Sequence, residues 1–219
     1  MVISSRGVRL CFPIVEGARR GDWIGVIERA YDLRDSHAAW LTALLEAARP
    51  LLDRGDGLLG HAYRVEGPRL RLDATCTVGG VPAFQEEVED VTGGADADVV
   101  RMVFDNGLAV GLVSELMAPV GRSEQFREMM WTRTRRVRDV VGVTTSDASL
   151  GVSLATAIVD SVKLPRWWTA RWLRVAPHLC AGYRLRRALH RSDLDDPSVE
   201  AVLEPGGRLC ICDLEREDG

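Results

Sequence analysis

Strand-like runs in this chain arrive in adjacent pairs, and that pairing restricts the possible folds more than any other feature. The runs 58–65 and 70–78 are separated only by Glu66-Gly67-Pro68-Arg69, a hairpin-sized gap containing glycine. The second run alternates apolar and polar side chains, as a half-buried strand does. The runs 139–145 and 150–159 flank Ser146-Asp147-Ala148-Ser149, and the β-branched content of both favours strands. A third pair, 199–203 and 208–214, surrounds Glu204-Pro205-Gly206-Gly207. Hairpins imply antiparallel pairing. Parallel enzyme folds instead need strands that alternate singly with helices.

Helical periods fill the gaps. Asp22 suits an N-cap, and Trp23, Val26, Ile27, Ala30 and Tyr31 predict a helix over 23–33. A second helix over 36–52 carries Trp40, Leu41, Leu44, Leu45, Ala48, Leu51 and Leu52, with a kinked last turn at Pro50. A short acidic helix is expected over 82–89, broken at Thr92-Gly93-Gly94. Another follows, capped by Asp96 and stopped by Asn106-Gly107. The apolar run 108–113 reads equally as strand or helix. A basic helix is expected over 124–136. Pro165 opens a last long helix that ends near 191–192, with Trp168, Trp172, Val175, Leu179, Gly182 and Tyr183 on one face. Pro177 predicts a kink or break within it.

The expected class is therefore α+β, an antiparallel sheet flanked by N-terminal and C-terminal helices, with one face covered. Residues 1–21 read as an irregular lead-in, 22–192 as the main domain, and 193–219 as an acidic connector with a β-hairpin. Apolar residues at 46% and charged residues at 27% exclude disorder of the whole chain. No apolar window approaches the roughly 18 residues of a membrane-spanning helix. The apolar patch 10–15 is too short for a signal-peptide core, so a cytoplasmic location is expected. A net charge of −4 argues against general affinity for nucleic acid. The charge is uneven, with eight basic residues and no acid in 163–191 and nine acids in 193–219. The basic face Arg184, Arg186, Arg187 and Arg191 could therefore touch DNA, a partner or the acidic tail, or simply face water.

Several short motifs carry a resemblance. They are Asp22-Trp23-Ile24, Glu28-Arg29-Ala30-Tyr31-Asp32-Leu33, Trp40-Leu41 and the run from Ala47-Ala48-Arg49-Pro50 to Asp56-Gly57. Ser114-Glu115-Leu116, Val137-Arg138-Asp139-Val140-Val141-Gly142, Val175-Ala176-Pro177-His178-Leu179 and Leu185-Arg186-Arg187 continue it. Over about 22–191 the chain resembles the sensor region that precedes the helix-turn-helix of bacterial LuxR-type transcriptional regulators, notably myxobacterial ones. Such regions are similar to GAF domains. The resemblance implies a GAF/PAS-like sheet with helices on both sides, a small-molecule pocket on one, and signalling in transcription regulation. It implies DNA binding only through a domain absent from this chain.

The candidate ligand pocket is Phe104, Leu112, Phe126, Met130 and Trp131, because Met and aromatic side chains between the hairpins suit an adaptable apolar cavity. Simple core packing is the alternative for the same residues. Trp23, Trp167, Trp168 and Trp172 are either core or a helix interface of a homodimer, and adjacent Trp167 and Trp168 cannot both point inward. Cys11, Cys76, Cys180, Cys210 and Cys212 are odd in number and irregularly spaced, as packing or surface thiols would be. Scattered His37, His61, His178 and His190 suggest no metal site, and no cofactor is identified. No G-x-S-x-G or phosphate cradle occurs, so no catalytic residue is named. The expected function is a non-catalytic sensor that binds a small ligand or partner. A ligand-free dimerisation module and a small redox enzyme on the same fold are the alternatives.

Overall fold

The computed structural model describes residues 22–33, 36–80, 97–105, 107–147, 149–191, 199–203 and 209–213. The lead-in 1–21, the acidic helix at 82–89, the break at 92–94, the Asp96 cap and the acidic run 193–196 lie outside the described residues.

Helix α1 (Trp23–Ala30) starts where the Asp22 carboxylate accepts from Gly25 N at 2.8 Å. Helix α2 (His37–Leu52) starts where Ser36 Oγ accepts from Ala39 N at 3.2 Å. Pro50 stands inside its last turn, and buried Leu51 and Leu52 hold that turn helical despite the missing N–H. Asp53 then folds the turn on itself by accepting from Gly55 N and Gly57 N. Gly57 takes φ +79°, where a side chain would also meet Gly80 backbone.

Strands β1 (Leu58–Glu66) and β2 (Arg69–Val78) form the first hairpin. Helix α3 begins as Ala97–Val99 and continues as a π-helical turn, Val100–Phe104. The undecided run becomes a strand, β3 (Leu108–Leu112). The short helix α4 (Val113–Leu116) and helix α5 (Ser123–Thr134) follow. Strands β4 (Asp139–Asp147) and β5 (Leu150–Ile158) form the second hairpin, with a tighter turn than expected. Helix α6 (Arg166–Arg191) is next, and β6 (Val199–Leu203) pairs with β7 (Leu209–Asp213) as a separate two-stranded sheet.

The main sheet is antiparallel in the order β2-β1-β5-β4-β3. Alternation sorts its side chains onto two faces. Leu58, Ala62, Val141, Val143, Val152 and Leu154 pack with α1, α2 and α6. Tyr63, Val65, Val140, Ala155 and Ala157 pack with α3, Met117 and α5. Helices thus cover both faces, where hairpin order alone suggests one.

No break occurs at Pro177, and α6 runs through it. Pro177 lies on the exposed side, while Ala176, Leu179 and Cys180 around it are buried. The apolar stripe keeps both halves on the same core, which outweighs one lost backbone bond. Among the described residues no helix is long and apolar enough to cross a membrane.

Candidate functional site

Three of the five expected pocket residues come together. Phe104, Phe126 and Met130 are buried in one cluster over the α3–α5 face of the sheet. Leu112 lies on the opposite face, beside its register partner Val141 in the core under α1, α2 and α6. Trp131 is 40% exposed, with the Arg138 guanidinium 4.9 Å over its ring. Adjacent helical residues diverge by about 100°, so Met130 and Trp131 cannot share a pocket.

The sheet beneath this cluster carries the most unusual chemistry. Cross-strand register aligns Thr75 on β2, His61 on β1, Ser153 on β5 and Thr144 on β4. All four side chains face α3–α5, because Tyr63 and Ala155 on the same faces of their strands do so. His61 Nδ1 and Thr75 Oγ1 are 3.0 Å apart, and Thr144 Oγ1 and Ser153 Oγ are 2.9 Å apart. The polar row crosses four strands, about 15 Å at ordinary strand spacing. The next row on this face is small from β5 to β3, with Gly142 opposite Ala155 and Gly111 opposite Gly142, while Leu59 stands opposite Ala155 on β1. Tyr63 bounds the row on one side. Its ring lies over Gly151, where an added Cβ would stand 2.2 Å away, and its hydroxyl donates to Phe104 O at 2.9 Å. That bond pins the π-helical turn to the sheet, a helix irregularity often met at functional sites.

His61 is 3% exposed, and its Nε2 has no hydrogen-bond partner among the described residues. One ring nitrogen donates and the other accepts in a neutral imidazole. Either tautomer of the Thr75 pair therefore leaves Nε2 with one unmet bond, at a cost of about 1–3 kcal/mol. Other buried polar atoms without partners have simpler settings. The Trp23 and Trp172 rings meet edge to face at 5.1 Å, and the Arg187 guanidinium bonds elsewhere through Nη1.

Burial pushes the His61 pKa down to about 4 from 6.5. The unfolded chain takes up a proton below about pH 6.5 that the folded chain refuses until about pH 4. This group's contribution is complete above the unfolded pKa and is lost as pH falls through that window, to the order of 3 kcal/mol. His61→Gln is expected to flatten the acid side of the stability curve. Urea unfolding of both proteins at about pH 7.5 and about pH 4.5 checks this, and equal pH dependences would contradict a buried neutral imidazole.

The four tryptophans separate. Trp168 and Trp172 are fully buried, and Trp168 Nε1 donates to Leu51 O at 2.9 Å. They therefore offer no surface. Trp167 is 38% exposed and Trp23 is half-buried, with the Arg171 guanidinium between them at 5.6 and 5.7 Å from their rings. The basic face of α6 is largely turned inward. Arg184 pairs with Asp147, Arg187 Nη1 donates to Asp73 at 2.8 Å, and buried Arg186 donates to Asp32 O at 2.6 Å while lying over the Trp40 ring. The side chain of Arg191 lies outside the described residues.

Burial raises the Cys180 thiol to about 11, which keeps it protonated and unreactive. Half-buried Cys76 donates to Ala38 O. Cys11 lies outside the described residues. An open groove of about 1020 Å³ between α1 and α2 is lined by Asp22, Glu28, Asp32 and Glu46. Its carboxylates already serve the fold in part, since Asp22 caps α1 and Asp32 pairs with Arg29.

Among the described residues, the polar row around His61 is a better candidate site than the Trp-rich helices or Cys76 and Cys180. Sequence reading missed it. His61 sits in an apolar strand like any core histidine, and its hydroxyl neighbours come from β2, β4 and β5. No protein-family model matches this chain, and no curated protein matches it.

Proposed function

We propose that this chain is a non-catalytic sensory domain of GAF/PAS-like architecture, acting in a transcriptional regulator whose DNA-binding part lies outside these residues. A small molecule binds on the α3–α5 face of the sheet and hydrogen-bonds His61 Nε2. The observation that carries this reading is that buried, unpartnered nitrogen, set in a polar row beside glycine and alanine positions. The five-stranded antiparallel sheet with helices on both faces is compatible with the architecture. Phe104, Phe126 and Met130 supply the apolar cover that small-molecule sites use.

A route for the signal also exists. Ala62 pairs with Ala74 and Tyr63 with Leu72, so Asp73 is a bulged residue in β2. It lies two positions from Thr75 and is held by Tyr183 and Arg187 of α6. A ligand that moves Thr75 would move the anchor of the long helix.

The interaction-module reading keeps one support, the exposed apolar side chains Ile24, Trp167 and Leu173 on α1 and α6. Native mass spectrometry separates the two, with a denatured sample to identify released small molecules. A stoichiometric added mass that disappears in His61→Leu is the expected result. A dimer with no bound mass, in the native chain and in His61→Leu alike, would favour the interaction module. An empty monomer would remove both.

A further inference from the structure

We infer that the ligand of the His61 site is an uncharged, flat molecule with a hydrogen-bonding edge, such as a carboxamide on a ring. The inference rests on the ligand-binding reading above. It follows from which groups the site offers and which it lacks. Thr75, His61, Ser153 and Thr144 offer hydroxyl and imidazole groups, all neutral, in a line across the strands. The neighbouring row carries Leu59 beside His61 on β1, but from β5 to β3 it offers only Ala155, Gly142 and Gly111, with no side chain longer than a methyl group. A planar ring can lie against that floor, and a bulky branched molecule cannot reach His61 as closely.

Charge decides the class. The nearest strand-borne ions are already engaged. Asp73 is engaged by Arg64, Arg187 and Tyr183, on the side where α6 packs. Asp139 is engaged by Ser114, Arg127 and its own neighbour's backbone N–H. An ionic ligand on this face would lose its hydration without gaining a free counter-ion from these strands, a loss of several kcal/mol per charge. The environment that keeps His61 neutral in acid opposes a ligand cation in the same way. A ligand amide satisfies both tautomers, donating its N–H to Nε2 or accepting from Nε2–H, while its partner atom reaches the Ser153–Thr144 hydroxyls.

The test uses one ring with three charges. Benzamide, benzoate and benzamidine are titrated into the full chain carrying ¹⁵N-histidine, and the Nε2 resonance of His61 is followed by two-bond ¹H–¹⁵N correlation. His61→Gln assigns the resonance. Thr75→Val, which removes the Nδ1 partner and keeps the imidazole, assigns it if His61→Gln does not fold. Benzamide is expected to move Nε2 saturably, with benzoate and benzamidine weaker by roughly tenfold or more. Equal or tighter binding of benzoate or benzamidine at Nε2 would overturn the uncharged class and leave the ligand site standing. An Nε2 resonance unmoved by all three would overturn the site itself.

Discussion

Asp73→Ala is expected to lower stability by about 3 kcal/mol, which is large against a typical total of about 5–15 kcal/mol. The carboxylate accepts from Arg64 Nε at 3.0 Å, from Arg187 Nη1 at 2.8 Å and from the Tyr183 hydroxyl at 2.5 Å. Those donors come from β1 and α6, so one side chain joins the sheet's outer hairpin to the last third of the long helix. Alanine takes the Asp73 carboxylate from Arg187 and leaves Arg64 only its 3.2 Å pair with half-exposed Glu66, in a place only 16–23% open to water. Removing one partner from a buried pair costs about 3–5 kcal/mol, and this partial exposure puts Asp73 at the lower end. Asp73→Asn keeps the size and one acceptor oxygen, so it should cost clearly less. Burial, followed by the Asp73 bond, raises the Tyr183 hydroxyl's pKa above its ordinary value. In Asp73→Ala part of that rise should disappear in a spectroscopic titration. Urea midpoints at constant m-value measure the stability loss. A loss below about 1 kcal/mol would show that Asp73 behaves as a surface pair and cannot anchor α6.

The elements were largely legible because they rest on local chemistry. Asp22 and Ser36 mark helix starts by their side-chain oxygens, and Gly67 and Pro68 mark the first hairpin. What the sequence left open depends on pairing between distant segments. β1 lies beside β5, not beside β3, and only that register brings Ser153 next to His61. A histidine in an apolar run looks ordinary until its neighbours are known. Arg186 shows the same limit in reverse. Within a basic run it reads as solvated, yet it is buried against Trp40 and caps the end of the α1 segment through Asp32 O. The misplaced Trp131 has a different origin. Its composition suited a pocket, but the helical angle from Met130 already pointed it elsewhere. Pro177 predicts a kink or break from propensity alone, and the buried stripe on either side keeps the helix unbroken.

Gly182→Ala should destabilise the fold even though alanine is the better helix former. In an exposed helix the exchange gains about 1 kcal/mol. Here a Cβ would stand 2.0 Å from Ala30 O and 2.6 Å from Ala30 C, and both are backbone atoms of α1. No rotamer change relieves that contact, so α1 or α6 must move. Movement spreads to the groups fixed around it. Ala30 O accepts from Trp40 Nε1 at 3.1 Å, the Trp40 and Tyr183 rings stack at 5.9 Å, and Arg186 reaches Asp32 O one turn further along α6. Overpacking usually costs about 1–3 kcal/mol, and a backbone-to-backbone clash belongs at the upper end or beyond. The net expectation after the propensity gain is a loss of about 2 kcal/mol, or roughly 4–8 °C in Tm for a chain of this length. Differential scanning calorimetry measures it. A Tm that rises would mean that α1 does not lie against Gly182. The Arg186 bond to Asp32 O would then need another explanation, because it depends on α6 being held at that distance from the α1 segment.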